Sequence, residues 1–178
     1  MRWFKQKIGM LSLKPNDPRL RSTRQYAKLS MSRPHFFVYE AETSSVKGME
    51  VYDRFPLVLP FAVNLENGTF HGINFHHIPP DLRLVVFDRL MAASSRGFSE
   101  ESRIRAEWQT LKALANHPVI SQAVKCYRFD RVKSLYIRLS LEELLMSIFM
   151  PVEWFVDLKS GRTVNKSRVF AQINRNMR

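Results

Sequence analysis

The chain has 178 residues, 45% of them hydrophobic and only 6 of them glycine, so it is long enough to bury a core without staples and is neither wholly disordered nor fibrous. Its one cysteine, Cys126, excludes an internal disulfide and suits a protein assembled in a reducing cytoplasm. No run approaches the roughly 18 apolar residues of a membrane helix, and Arg2, Lys5 and Lys7 precede no apolar signal core, so neither membrane insertion nor secretion is expected.

The formal net charge of +12 is unevenly spread. Residues 1–33 carry nine Lys or Arg against Asp17 alone, a net of +8; residues 157–178 carry six against Asp157 alone, a net of +5; residues 34–156 carry thirteen against fourteen. A nearly neutral body at 34–156 therefore separates a basic N-terminal arm from a basic C-terminal tail, the pattern of segments that reach toward a polyanion or an acidic neighbour. The candidate phosphate contacts are Arg19, Arg21, Arg24, Lys28 and Arg33 in the arm, and Lys166, Arg168 and Arg175 in the tail.

In chain order, Trp3, Phe4 and Ile8 alternate with Arg2, Lys5 and Lys7 at helical spacing and predict a short amphipathic helix. Residues 12–33, with Pro15 and Pro18, read as an extended basic arm. A strand is expected over 35–41. Residues 57–63 and 69–75 then form a predicted hairpin, turned at Asn67-Gly68, a pair that tolerates positive φ. Pro56 and Pro60 each remove a ladder donor, so the first hairpin strand is expected at a sheet edge or sharply bent. His76-His77-Ile78-Pro79-Pro80 cannot continue a ladder but can open a helix, expected over 80–92. Leu82, Val86 and Leu90 form its core stripe, widened by Val85, Phe87 and Met91, while Arg83 and Asp88 are expected to face water.

A second helix is expected from Ser99, with Ile104, Trp108, Leu111 and Ala115 inward and Asn116-His117-Pro118 as its stop. Residues 119–124 read as helical and 134–139 as a strand. A third helix follows Ser140, whose spacing to Glu143 fits a capping box, with Leu141, Leu144, Leu145, Ile148 and Phe149 inward and Pro151 as its end. The tail is expected to be helical from about residue 166, with a weak apolar face. The predicted fold class is α+β: a small antiparallel sheet packed by two or three helices, with basic terminal arms. An SH3-like partial barrel would leave the same trace.

Four blocks follow one another along the chain: Tyr52-Asp53-Arg54-Phe55-Pro56, then Gly72-Ile73-Asn74-Phe75-His76 with prolines and a Leu-Arg helix, then Lys125-Cys126-Tyr127, then Pro151-Val152-Glu153-Trp154-Phe155. In this combination the chain resembles the DNA end protector or head completion proteins of T-even-like tailed bacteriophages, densely over 52–90 and more thinly over 36–156. His77 departs from it, standing where an aromatic is expected. The resemblance implies a virion structural protein, present in the host cytoplasm during assembly. It would bind double-stranded DNA ends without regard to sequence, shield them from host exonuclease and contact other head or neck proteins. It implies no catalytic residue and no cofactor.

Two enzymatic or metal readings of the histidines compete with that. His71, His76 and His77, with or without Cys126, offer imidazoles to a transition metal, but nothing nearby completes a structural site. Hairpin, His76-His77-Ile78, proline and helix imitate the opening of a ββα-metal (HNH-type) nuclease, yet the helix that follows offers no Asn or His and only Asp88 as a ligand. The plainer expectation is that these histidines bond carbonyls at the strand-to-helix corner, and that Asp53 and Arg54 pair with neighbours or with the following loop. A neck or baseplate protein whose arms hold only protein is the other alternative.

Overall fold

A computed structural model describes residues 25–26, 29–31, 33–42, 50–94, 118–139, 141–150 and 153–176. Its strands are β1 (Gln25–Tyr26), β2 (His35–Phe36), β3 (Val51–Asp53), β4 (Leu57–Asn64), β5 (Thr69–Asn74), β6 (Val124–Arg128), β7 (Tyr136–Arg138) and β8 (Phe155–Asp157). Its helices are α1 (Pro80–Ser94), the single turn α2 (Pro118–Ser121), α3 (Leu141–Phe149) and α4 (Lys166–Asn176). Six strands form one antiparallel sheet in the order β1-β7-β2-β4-β5-β6, and β3 and β8 pair in a second, two-stranded sheet. The α+β class is as expected, and among the described residues the larger sheet runs open from β1 to β6 rather than closing as a barrel.

The β4–β5 hairpin is the centre of that sheet. Gly68 takes the positive φ of 62° that closes its turn, and Asn64 Oδ1 accepts from the Asn67 amide at 3.0 Å. The turn is thus four residues, Leu65 to Gly68, rather than the Asn-Gly pair alone. Pro60 is accommodated in two ways. It lies beyond the two-residue β2 ladder, which engages only Leu57 and Val58, and the register shifts between Pro60 and Ala62. So β4 bends as expected but is not an edge strand. Opposite Pro60 stands Gly72, where a Cβ would overlap Val58 Cγ1 and sit 3.0 Å from the Leu59 carbonyl oxygen.

Alternation along β4 and β5 gives the sheet two different faces. Leu57, Leu59, Phe61 and Ile73 pack with Phe75, Ile78, Val86, Phe87, Leu144 and Ile148 on the side covered by α1 and α3. Val58 and Phe70 point the other way, into an aromatic cluster of Phe37, Tyr39, Tyr127 and Tyr136. There Phe70 stacks on Tyr127 at 5.2 Å, and Phe37 meets Tyr127 edge-on at 5.4 Å.

Several expectations are corrected. The strand over 35–41 is only His35–Phe36, because the backbone beyond it bonds to loops: Val38 N donates to Ser134 Oγ and Tyr39 N to the Arg54 carbonyl. Residues 119–124 are not one helical piece, since α2 stops at Ser121 and β6 begins at Val124, placed there by its ladder to β5. On α1, Val85, expected on the apolar surface, is exposed, while Val86 and Phe87 are buried as expected. The helix expected from about residue 166 is α4, but its apolar face is not weak, since Val169 and Ile173 are buried with Phe155 of β8. Of the basic arm expected over 1–33, Gln25–Tyr26 pair with β7 as β1, while residues 1–24, 27–28 and 32, with the N-terminal helix, lie outside the described residues, as does the helix expected from Ser99.

Candidate nucleic-acid interface

Three of the four sequence blocks that carry the resemblance meet at one buried corner. Asp53 comes from β3, Asn74 ends β5, His76 sits in the 3-10 turn Phe75–His77, Arg83 comes from α1, and Glu153 precedes β8. Asn74 caps the turn, its Oδ1 accepting from His76 N at 3.0 Å and its Nδ2 donating to Asp53 Oδ2 at 3.3 Å. His76 Nδ1 lies 2.6 Å from Asp53 Oδ2, and both side chains are buried. Asp53 Oδ1 also accepts from Phe55 N at 3.2 Å, the loop contact expected of it.

Arg83, expected in water, is 1% exposed. Its Nε donates to the Ile78 carbonyl at 2.7 Å, its Nη1 to the Ile148 carbonyl at 3.3 Å, and its Nη2 pairs with Glu153. The planar guanidinium thereby ties the helix-opening corner to α3 and to the approach to β8. Lys166 Nζ reaches the second Glu153 oxygen at 3.3 Å and brings α4 into the same network. Burial alone would raise the Glu153 carboxyl, but the charge of Arg83 beside it holds it below the usual range.

The histidines are therefore mostly accounted for. His76 bonds a carboxylate rather than a backbone carbonyl, and only its Nε2 is left without a partner. Burial drives His77 well below the ordinary imidazole value, with Lys125, His76 and Arg83 adding to the effect, so it is neutral, edge-on to Phe155 at 5.0 Å. His35 Nδ1 bonds the Arg33 carbonyl at 2.6 Å, and burial pulls its pKa down to about 4. His71 sits opposite Cys126 in the β5–β6 ladder. Among the described residues no group of three His, Cys, Asp or Glu side chains could hold a metal. His76 is fully buried, whereas His77, also buried, is one of the residues lining a cavity on the aromatic side of the sheet.

The outward charge lies elsewhere. On α4, Asn165 Oδ1 accepts from Ser167 N at 2.9 Å and starts the helix, and Val169 and Ile173 fix its inner face. Arg168, Gln172 and Arg175 fall at i, i+4 and i+7 on the exposed side, the two arginines separated by about 10 Å of helix rise. Lys159 and Arg162, in the turn closed by Gly161 at φ 66°, are exposed just before this helix. Of the predicted contacts, Arg168 and Arg175 are thus brought onto one stripe. Lys166 is turned inward to Glu153, and Arg33 is exposed on a separate element, the approach to β2. Arg19, Arg21, Arg24 and Lys28 lie outside the described residues.

The sequence reading missed a second basic place. A cavity of ≈ 360 Å³ opens on the aromatic side of the sheet, lined by Tyr39, Tyr52, Lys125, Tyr127, Arg128 and Arg131 among others. Arg128 is held by Asp130 at 3.0 and 2.6 Å, and Arg131 pairs with Glu42. Lys125 has no carboxylate within ion-pair distance among the described residues, and burial pulls its pKa down to about 8. The signal available was the alternation Val124-Lys125-Cys126-Tyr127-Arg128, which puts Lys125 and Tyr127 on one face of a strand.

No described helix is long and apolar enough to cross a membrane. Comparison with curated proteins and with solved structures gives no significant match. The model of one family, described as Phage T4 terminal DNA protecting protein, matches residues 2–173, almost the whole length over which these elements are assembled, and the chain belongs to that family.

Proposed function

We propose that this protein binds the ends of linear double-stranded DNA and shields them from exonuclease, acting by occupancy rather than by catalysis. The observation that carries the reading is family membership across residues 2–173, in a family described by protection of terminal DNA. Charge supports it. Exposed Arg168 and Arg175 line one side of α4, and the net of +8 over residues 1–33 supplies further phosphate contacts. Arginine and lysine on phosphates carry no base information, so binding is insensitive to sequence. In the particle the protein sits at the genome terminus with head or neck proteins around it and takes part in head completion, having been assembled in the host cytoplasm.

The direct test is a nuclease-protection assay. Purified protein is mixed with linear duplex and a processive double-strand exonuclease, with covalently closed circle as competitor. Linear DNA is expected to survive, and closed circle at equal mass to compete poorly. Digestion at the unprotected rate under saturating protein overturns the reading. A particle test separates it from a purely protein-anchoring role for the arm: neutralising Arg19, Arg21, Arg24 and Lys28 should leave the protein incorporated and restore infectivity in a host lacking the exonuclease. Loss of the protein from purified particles would favour anchoring.

A further inference from the structure

Phosphate contacts explain affinity but not preference for an end, because a basic stripe meets the same phosphates anywhere along a duplex. Discrimination needs a feature that a terminus can enter and an interior cannot. The cavity beside β6 has that form. Its ≈ 360 Å³ falls at the small end of the roughly 300–1,000 Å³ typical of ligand pockets, enough for one nucleotide but not for a base pair with both its backbones. Tyr39, Tyr52 and Tyr127 give it aromatic walls against which a base can lie.

Its charges are sorted. Arg128 and Arg131 are engaged by Asp130 and Glu42, and Asp53 is engaged by His76. Lys125 is the lining cation left without an acidic partner among the described residues, two positions before Tyr127 on the same face of β6. A half-buried ammonium without a counter-ion is unfavourable unless something anionic arrives, and burial has already weakened its hold on the proton.

Resting on the end-binding reading above, we propose that this cavity receives the terminal nucleotide of a duplex, its base against the tyrosines and its 5′-phosphate on Lys125. A terminal phosphate monoester carries more negative charge than an internal diester and is free on one side, so it can approach a recessed ammonium. An interior nucleotide would have to be unpaired and extruded first, whereas the terminal pair frays without bending the duplex. The device is thus an end sensor, and the α4 stripe and the N-terminal arm supply the sequence-independent grip.

The test compares three labelled probes of equal length by fluorescence anisotropy: a hairpin with one open blunt 5′-phosphorylated end, the same hairpin with a 5′-hydroxyl, and a dumbbell closed at both ends. The full-length protein should bind the phosphorylated open hairpin about tenfold or more tightly than the dumbbell, with the hydroxyl probe between them. Lys125→Met removes an unpartnered charge from an apolar setting, so it should keep the fold. It should equalise the phosphorylated and hydroxyl probes while leaving dumbbell affinity unchanged. Tyr52→Ala, on the cavity wall, should narrow the gap between open and closed probes without erasing the phosphate preference. If the wild type prefers open ends and both variants retain that preference undiminished, the cavity is not the sensor, though end binding stands. If the wild type does not distinguish open from closed probes, the end-binding reading itself fails and this inference with it.

Discussion

Replacing Arg83 by leucine tests whether the buried corner holds the fold together. The change strips the Ile78 and Ile148 carbonyls of donors at 2.7 and 3.3 Å, each worth about 1 kcal/mol or more when left unmade in a buried site. It also leaves the buried Glu153 carboxylate with Lys166 as its one remaining cationic partner among the described residues. Breaking a buried ion pair on one side costs about 3–5 kcal/mol, a large share of the roughly 5–15 kcal/mol that keeps a domain folded. With a urea slope of about 2 kcal/mol/M, the unfolding midpoint should fall by roughly 2 M. Adding Glu153→Leu removes the stranded charge, and Lys166, whose side chain is already 39% exposed, can return to water. The double variant should therefore be more stable than Arg83→Leu alone by about 2 kcal/mol. A single-variant cost under about 1 kcal/mol, or a double variant weaker than the single, would refute the reasoning.

Acid should destabilise the protein well before its carboxylates titrate. In the unfolded chain His35 takes up a proton near the ordinary imidazole value of 6.5, while burial makes the folded site resist until about 4. Stability is therefore full above pH 6.5 and falls as pH drops through that window, by up to about 3 kcal/mol from this group. His77 acts in the same direction, and Glu153, held below its ordinary value, adds a further loss at lower pH. Urea midpoints that stay flat from pH 7 to pH 5 would contradict this. Gly72→Ala should cost about 1–3 kcal/mol by forcing β4 and β5 apart at Val58, and a cost below roughly 0.5 kcal/mol would show that the pair relaxes freely. Arg168→Ala with Arg175→Ala should lower the log-affinity against log-salt slope for duplex DNA by about 1.8 while moving thermal stability little. An unchanged slope would take α4 out of the interface.

What could be read from the sequence followed the range of the forces involved. The hairpin was legible because its strands, turn glycine and helix-opening prolines are all local signals, and β4 and β5 begin and end within a residue of expectation. Strand β6 was not, since Lys125 and Arg128 break its apolar run and its order comes from pairing with β5. Arg83 was misplaced for a related reason. A helical wheel assigns a lone arginine to water unless its counter-charge is in view, and Glu153 is 70 residues away. The charge of Arg168 and Arg175 was legible as part of a basic segment, but their common stripe depended on Val169 and Ile173 facing Phe155. The cavity could not be anticipated at all, because Tyr39, Tyr52 and Lys125 come from three separate strands or bridges.

The ladders that join β1 to β7 and β3 to β8 link positions about a hundred residues apart. Contacts of that span are made late, after most of the loop-closure entropy has been spent, and chains dominated by them fold over milliseconds to seconds rather than microseconds. Neither ladder can form until the ribosome has delivered the second strand of the pair. Until then the face of the β4–β5 hairpin carrying Leu57, Leu59, Phe61 and Ile73 has α1 beside it but lacks Leu144 and Ile148 of α3, so crowding during rapid synthesis falls hardest on an incomplete chain. The yield of native protein should therefore depend on how fast it is translated, and slower synthesis or a holding chaperone should raise it.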